Sequence, residues 1–70
     1  MQHSDALTVN GKPHPFTAGM TVSSLLADLM DGPATVVVEL NGTIVPRGEF
    51  GETTLASGDR IEIVHFVGGG

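Results

Sequence analysis

Arg60-Ile61-Glu62-Ile63-Val64-His65-Phe66-Val67-Gly68-Gly69-Gly70 is the stretch that decides how this chain folds. Its first eight residues are rich in β-branched and aromatic side chains and read as a strand. Ile61, Ile63 and His65 fall on one side, and Arg60, Glu62, Val64 and Phe66 on the other. Apolar groups on both sides suit a central strand, flanked on both edges. The strand then runs into three glycines. Glycine costs the most backbone entropy to order and has no side chain to pack, so Gly68, Gly69 and Gly70 are predicted to form a mobile tail. Two readings of that tail compete. One is a frayed end. The other is a functional group, because three extended residues reach about 10 Å and pass where no side chain fits. What they then present is the free α-carboxylate of Gly70.

A central strand needs neighbours, and the chain supplies them on both sides. Ala6-Leu7-Thr8-Val9 alternates, with Leu7 and Val9 facing inward. Asn10-Gly11 is a preferred type I′ turn, and Lys12 to Phe16 returns from it. Pro13 and Pro15 remove ladder donors, which places that strand at an edge, with Phe16 reaching the core. Thr35 to Leu40 is a second clear strand. Asn41-Gly42 is a second hairpin turn, returning through Thr43-Ile44-Val45. Pro46-Arg47-Gly48 breaks that pairing, Phe50 is a candidate plug, and Thr53-Thr54-Leu55 a candidate short strand. Ser57-Gly58-Asp59 turns into the last strand.

Between the hairpins, Thr21 is a good helix N-cap. Val22, Leu25, Leu26 and Leu29 recur at i, i+3, i+4 and i+7, one apolar stripe that must lie on the sheet because the helix is too short to stand alone. Asp31-Gly32-Pro33 is the expected stop. One mixed sheet of four to five strands with one helix across one face is the economical α+β packing. With the last strand parallel to the first, it is a β-grasp, or ubiquitin-like, domain. Residues 6–67 form that domain, residues 1–5 a disordered lead, and residues 68–70 the tail.

Seventy residues bury too little surface for a deep catalytic cleft. The absence of cysteine rules out disulfides, thiolate zinc sites and a thiol nucleophile. No signal peptide and no apolar run near the roughly 20 residues of a membrane span are present, so the chain reads as cytoplasmic. Three basic residues against eight carboxylates give a net charge of −5, which argues against nucleic acid and anionic membrane as partners. His3, His14 and His65 are not spaced as a metal set, so no metal is expected. Gly48-Glu49-Phe50-Gly51 lacks the lysine and following helix of a phosphate loop. Val64 and Phe66 are candidates for a docking patch beside the tail, unless the Pro46–Glu52 loop covers them. Arg47 reads as an ordinary surface charge or as a pair for a partner's carboxylate.

From Leu7 to Gly70 the chain resembles the ThiS family of sulfur carrier proteins. The stretches that carry the resemblance are Val9-Asn10-Gly11-Lys12, the helix run Val22 to Leu29, Glu39-Leu40-Asn41-Gly42-Thr43-Ile44-Val45-Pro46-Arg47, and Gly58-Asp59-Arg60 through Gly68-Gly69-Gly70. The resemblance implies that Gly69-Gly70 is the functional diglycine, with Gly70 carrying the chemistry. It implies a ThiF-type E1-like adenylyltransferase that spends ATP and magnesium on the Gly70 carboxylate, the carrier itself binding no cofactor. Sulfur relayed from a cysteine desulfurase then leaves a thiocarboxylate, and a ThiG-type thiazole synthase takes the sulfur for thiamin. Carriers for molybdopterin (MoaD-like), tRNA thiolation or cysteine synthesis share this tail chemistry. A β-grasp module that merely docks through its sheet is the alternative from another class, and a self-contained enzyme is disfavoured by size.

Overall fold

A computed structural model describes residues 5–30 and 35–65. Two hairpins, a helix and a last strand make up the fold. The first hairpin is β1 (Ala6–Val9) and β2 (Lys12–Pro15), followed by the helix α1 (Val22–Leu29). The second is β3 (Val36–Leu40) and β4 (Thr43–Val45), and β5 (Arg60–His65) closes the sheet. The spatial order is β2-β1-β5-β3-β4. The last strand is therefore central, parallel to β1 and antiparallel to β3. The proline-bearing β2 takes one edge, where missing N–H donors cost nothing. Asp5 already joins this frame, since Phe16 N–H donates to its carbonyl at 3.2 Å.

Both turns adopt the geometry that their Asn-Gly pairs favour. Asn10 and Gly11 have φ of 50° and 84°, and Asn41 and Gly42 have 51° and 87°. Glycine, asparagine and aspartate are the residues that enter this left-handed region readily. The turn length then sets the register. Glu39 lies opposite Ile44, and Val38 opposite Val45.

The helix begins where expected, and every N–H of its first turn is accounted for. Val22 N–H donates to Thr53 O at 3.1 Å, and Ser23 N–H to Phe50 O at 3.0 Å. Ser24 N–H donates to Thr21 Oγ1 at 3.1 Å, while Thr21 N–H returns a bond to Ser24 Oγ at 2.9 Å. This reciprocal cap satisfies donors that would otherwise be orphaned. Met30 is already extended, with φ −132° and ψ 146°, so the helix ends before Asp31. The expected glycine–proline stop lies outside the described residues.

The core lies between α1 and one face of the sheet. Val22, Leu25, Val38 and Ile61 are fully buried, joined by Leu7, Val9, Val36, Val45, Leu55 and Ile63. Phe50 is buried as the plug, and Phe16 is half-buried against the cluster. Leu29 departs from the predicted stripe. It is 42% exposed, because the last helical turn overhangs an open groove rather than the packed sheet. Thr53–Leu55 is not a strand. It makes one antiparallel bridge, Thr54 to Thr21, because its backbone serves the helix N-terminus instead of the sheet. Likewise Arg47–Glu49 is a single 3₁₀ turn rather than plain loop. No helix among the described residues is long and apolar enough to cross a membrane.

Candidate functional site

Alternation along β5 puts two kinds of surface on one strand. Ile61 and Ile63 point into the core. Arg60, Glu62 and Val64 point outward and are exposed, Val64 at 55%. The Pro46–Glu52 segment does not cover Val64. It is drawn to the helix side, with Phe50 in the core and its carbonyl bonded to Ser23 N–H.

The register then assembles a patch around Val64. Val37 lies directly across from it on β3. Ile44 lies opposite Glu39, one diagonal step from Val37, and is 61% exposed. Diagonal neighbours on one sheet face lie within reach of each other. Glu39 and Glu62 lie opposite each other on the same face. The result is an apolar strip with carboxylates beside it, on the outer face of the strand that continues into the glycine end. Arg47 starts the 3₁₀ turn that follows β4 and is exposed. Phe66, Gly68, Gly69 and Gly70 lie outside the described residues.

Sequence reading missed two features here. One is Ile44, which the two-residue turn already implied, because a type I′ hairpin after Asn41-Gly42 must put Ile44 on the face of Glu39. The other is the side chain of Asn10. Its Oδ1 accepts from Ile63 N–H at 2.7 Å, and its Nδ2 donates to Ile63 O at 3.3 Å. Nothing in the local pattern announces that bond, which spans 53 positions of sequence.

On the helix side, the same end of β5 borders an open groove of about 560 Å³. His65, His14 and Lys12 line it together with Val9, Leu29 and Ile63. Among the described residues, no three histidine, aspartate or glutamate side chains gather as a metal-holding group.

A mixed five-stranded sheet with one helix across it, and a central last strand parallel to the first, defines a β-grasp domain. Residues 7–70 match the model of the ThiS family. The sulfur carrier protein ThiS of Bacillus subtilis is 40% identical over 65 residues, covering 91% of this chain and 98% of that protein. The crystal structure of the thiamine biosynthesis protein ThiS from Geobacter metallireducens superposes with a TM-score of 0.78 at 43% identity, over 93% of this chain and 99% of that one. The chain belongs to the ThiS family. It is also 47% identical over 62 residues to a thiazole synthase of Magnetococcus marinus, a match that covers 89% of this chain but only 19% of that protein. The chain thus spans about a fifth of the length of the thiazole synthases it matches.

Proposed function

We propose that this protein carries sulfur on the carboxyl group of Gly70 for thiazole formation in thiamin biosynthesis. The observation that carries the reading is that the family match runs through Gly70 on a β-grasp frame. A carboxylate is a poor electrophile at neutral pH, so its oxygen must first be made a leaving group. The Gly70 carboxylate attacks the α-phosphorus of ATP and expels pyrophosphate, giving the acyl adenylate. Hydrosulfide then adds to the carbonyl and AMP leaves, giving the thiocarboxylate; a persulfide donor gives an acyl disulfide instead, which a thiol reduces to the same thiocarboxylate. Electrostatic stabilisation of the phosphates by magnesium belongs to a ThiF-type adenylyltransferase. The carrier contributes the slim acyl end and the surface that docks it, and does no catalysis itself.

The relatives named thiazole synthase favour a ThiG-type enzyme as the sulfur acceptor, with a cysteine desulfurase as the indirect source. The strip of Val64, Val37 and Ile44 is the docking surface in this reading, extended by Phe66. Arg47 is a peripheral charge that faces a partner's carboxylate. Gly68 and Gly69 thread the partner's channel.

The test is intact mass after incubation with ATP, magnesium, a ThiF-type enzyme and sulfide. The expected gain equals sulfur minus oxygen on the full chain, with none when Gly70 is deleted. The deletion leaves folding unchanged and shortens the tail by about 3.5 Å. Normal conversion of the truncated chain would sink the proposal.

A further inference from the structure

We infer that Asn10 is a positioning residue for the tail, its carboxamide standing in for one more residue of β1. In the parallel ladder, Thr8 N–H donates to Asp59 O at 3.0 Å and Asn10 N–H to Ile61 O at 2.9 Å. The next rungs of a regular ladder would be Ile63 N–H to the backbone oxygen of Asn10, and a later β1 N–H to Ile63 O. The chain cannot supply them, because it turns back at Asn10-Gly11. The carboxamide supplies both. Oδ1 takes the Ile63 N–H at 2.7 Å, and Nδ2 donates to Ile63 O at 3.3 Å. Ile63 is thereby held on the β1 side three positions before Phe66.

The second hairpin shows that the same residue type does a different job at the other end. Asn41 Oδ1 accepts from Arg60 N–H at 2.9 Å, and its Nδ2 donates to Asp59 Oδ1 at 3.0 Å. Asn41 fixes where β5 starts, and Asn10 fixes where its support on the β1 side stops. With β3 paired to His65 on the opposite edge, Asn10 makes the last stretch of β5 two-sided. A strand held on both edges fixes the point at which the chain leaves the sheet after His65. Fixing the end of β5 narrows the space from which the tail starts its search for a partner's nucleotide, which favours productive encounters.

This inference rests on the sulfur-carrier reading, and its test separates the two. Asn10→Asp and Asn10→Gly both keep a dipeptide suited to the type I′ turn. Glycine removes both bonds to Ile63, and aspartate sets an oxygen against Ile63 O. If Asn10 serves the turn alone, both variants behave like the parent chain. If it is the clamp, the Ile63 amide exchanges with deuterium about fivefold to tenfold faster in Asn10→Gly, the size of one lost hydrogen bond, while Asn10→Asp, whose carboxylate still accepts from Ile63 N–H, keeps most of that protection. The KM for carrier in ATP–pyrophosphate exchange with the ThiF-type enzyme then rises severalfold. Leu55→Ala, buried on the segment bonded to the helix N-terminus, is the control for general destabilisation at an equal fall in thermal midpoint. Unchanged Ile63 exchange in Asn10→Gly, or a KM no higher than that of the control, overturns the inference. If the parent chain itself is not adenylated, the sulfur-carrier reading and the tail-positioning role fail together, and exchange at Ile63 still reports whether the clamp exists.

Discussion

Ile61 and Ile63 are 0% and 8% exposed, whereas Val64, on the opposite face of the same strand, is 55% exposed. Chemically these are near-identical aliphatic side chains. Position in the two-residue repeat alone assigns them opposite tasks. The inner pair anchors β5 to α1 and β3. The outer residue joins Val37 and Ile44 in a strip left open to solvent. In the proposed reading this division holds the strand from one side and leaves the other side free for a partner.

The sharpest way to break the comparison is at Ile61. Ile61→Ala removes a fully buried side chain from the centre of the core. Large-to-small changes at such sites cost about 2–5 kcal/mol. Stabilities of small domains start near about 5 kcal/mol, so the variant is expected to be largely unfolded or to melt far lower. Urea denaturation followed by circular dichroism checks this. A cost under about 1 kcal/mol would mean that the core tolerates the loss and that β5 is not its anchor.

A gentler change tests the outer face. Val64→Thr and Ile44→Thr keep the β-branch, hence the strand propensity, and replace apolar with hydroxyl surface. Both sites are exposed, so stability should move by no more than about 0.5 kcal/mol. If the strip docks the activating partner, the double variant should bind about tenfold more weakly, or about 1.4 kcal/mol, by titration calorimetry. Unchanged affinity would move the docking surface elsewhere. A stability loss comparable to that of Ile61→Ala would erase the distinction between the faces.

Most of this architecture was legible because its signals are local. Asn-Gly turns, the spacing of Val22, Leu25 and Leu26, and the prolines of β2 each dictate their own geometry, and together they leave one packing. The central, parallel placement of β5 followed from apolar groups on both its faces. What escaped depends on contacts distant in sequence. Leu29 fits the apolar stripe, yet whether the sheet reaches far enough to cover it is a tertiary matter. Thr53–Leu55 has strand-like composition, but the open N–H groups of Val22 and Ser23 recruit the neighbouring backbone. Phe50 fills the core beside them, which is why the loop leaves Val64 bare. Ile44 was in principle readable from the turn register. The Asn10 side chain was not, because an asparagine at a turn explains itself without any bond to Ile63.

Arg47 gives the smallest and most discriminating effect. It stands exposed in the 3₁₀ turn that follows β4. It is one of only three Lys or Arg residues on a chain of net charge −5. A lone peripheral charge acts mainly on encounter, and salt screens it. Arg47→Ala should therefore leave stability within about 0.5 kcal/mol and slow association with the activating partner by no more than about threefold at low salt. The difference should fade as ionic strength rises, while the dissociation rate stays put. Stopped-flow association at several salt concentrations measures both rates. A tenfold loss carried by faster dissociation would place Arg47 in close, desolvated contact with the partner. The docking surface would then extend past the β4 edge, and the division between a closed inner face and a single open strip would need redrawing.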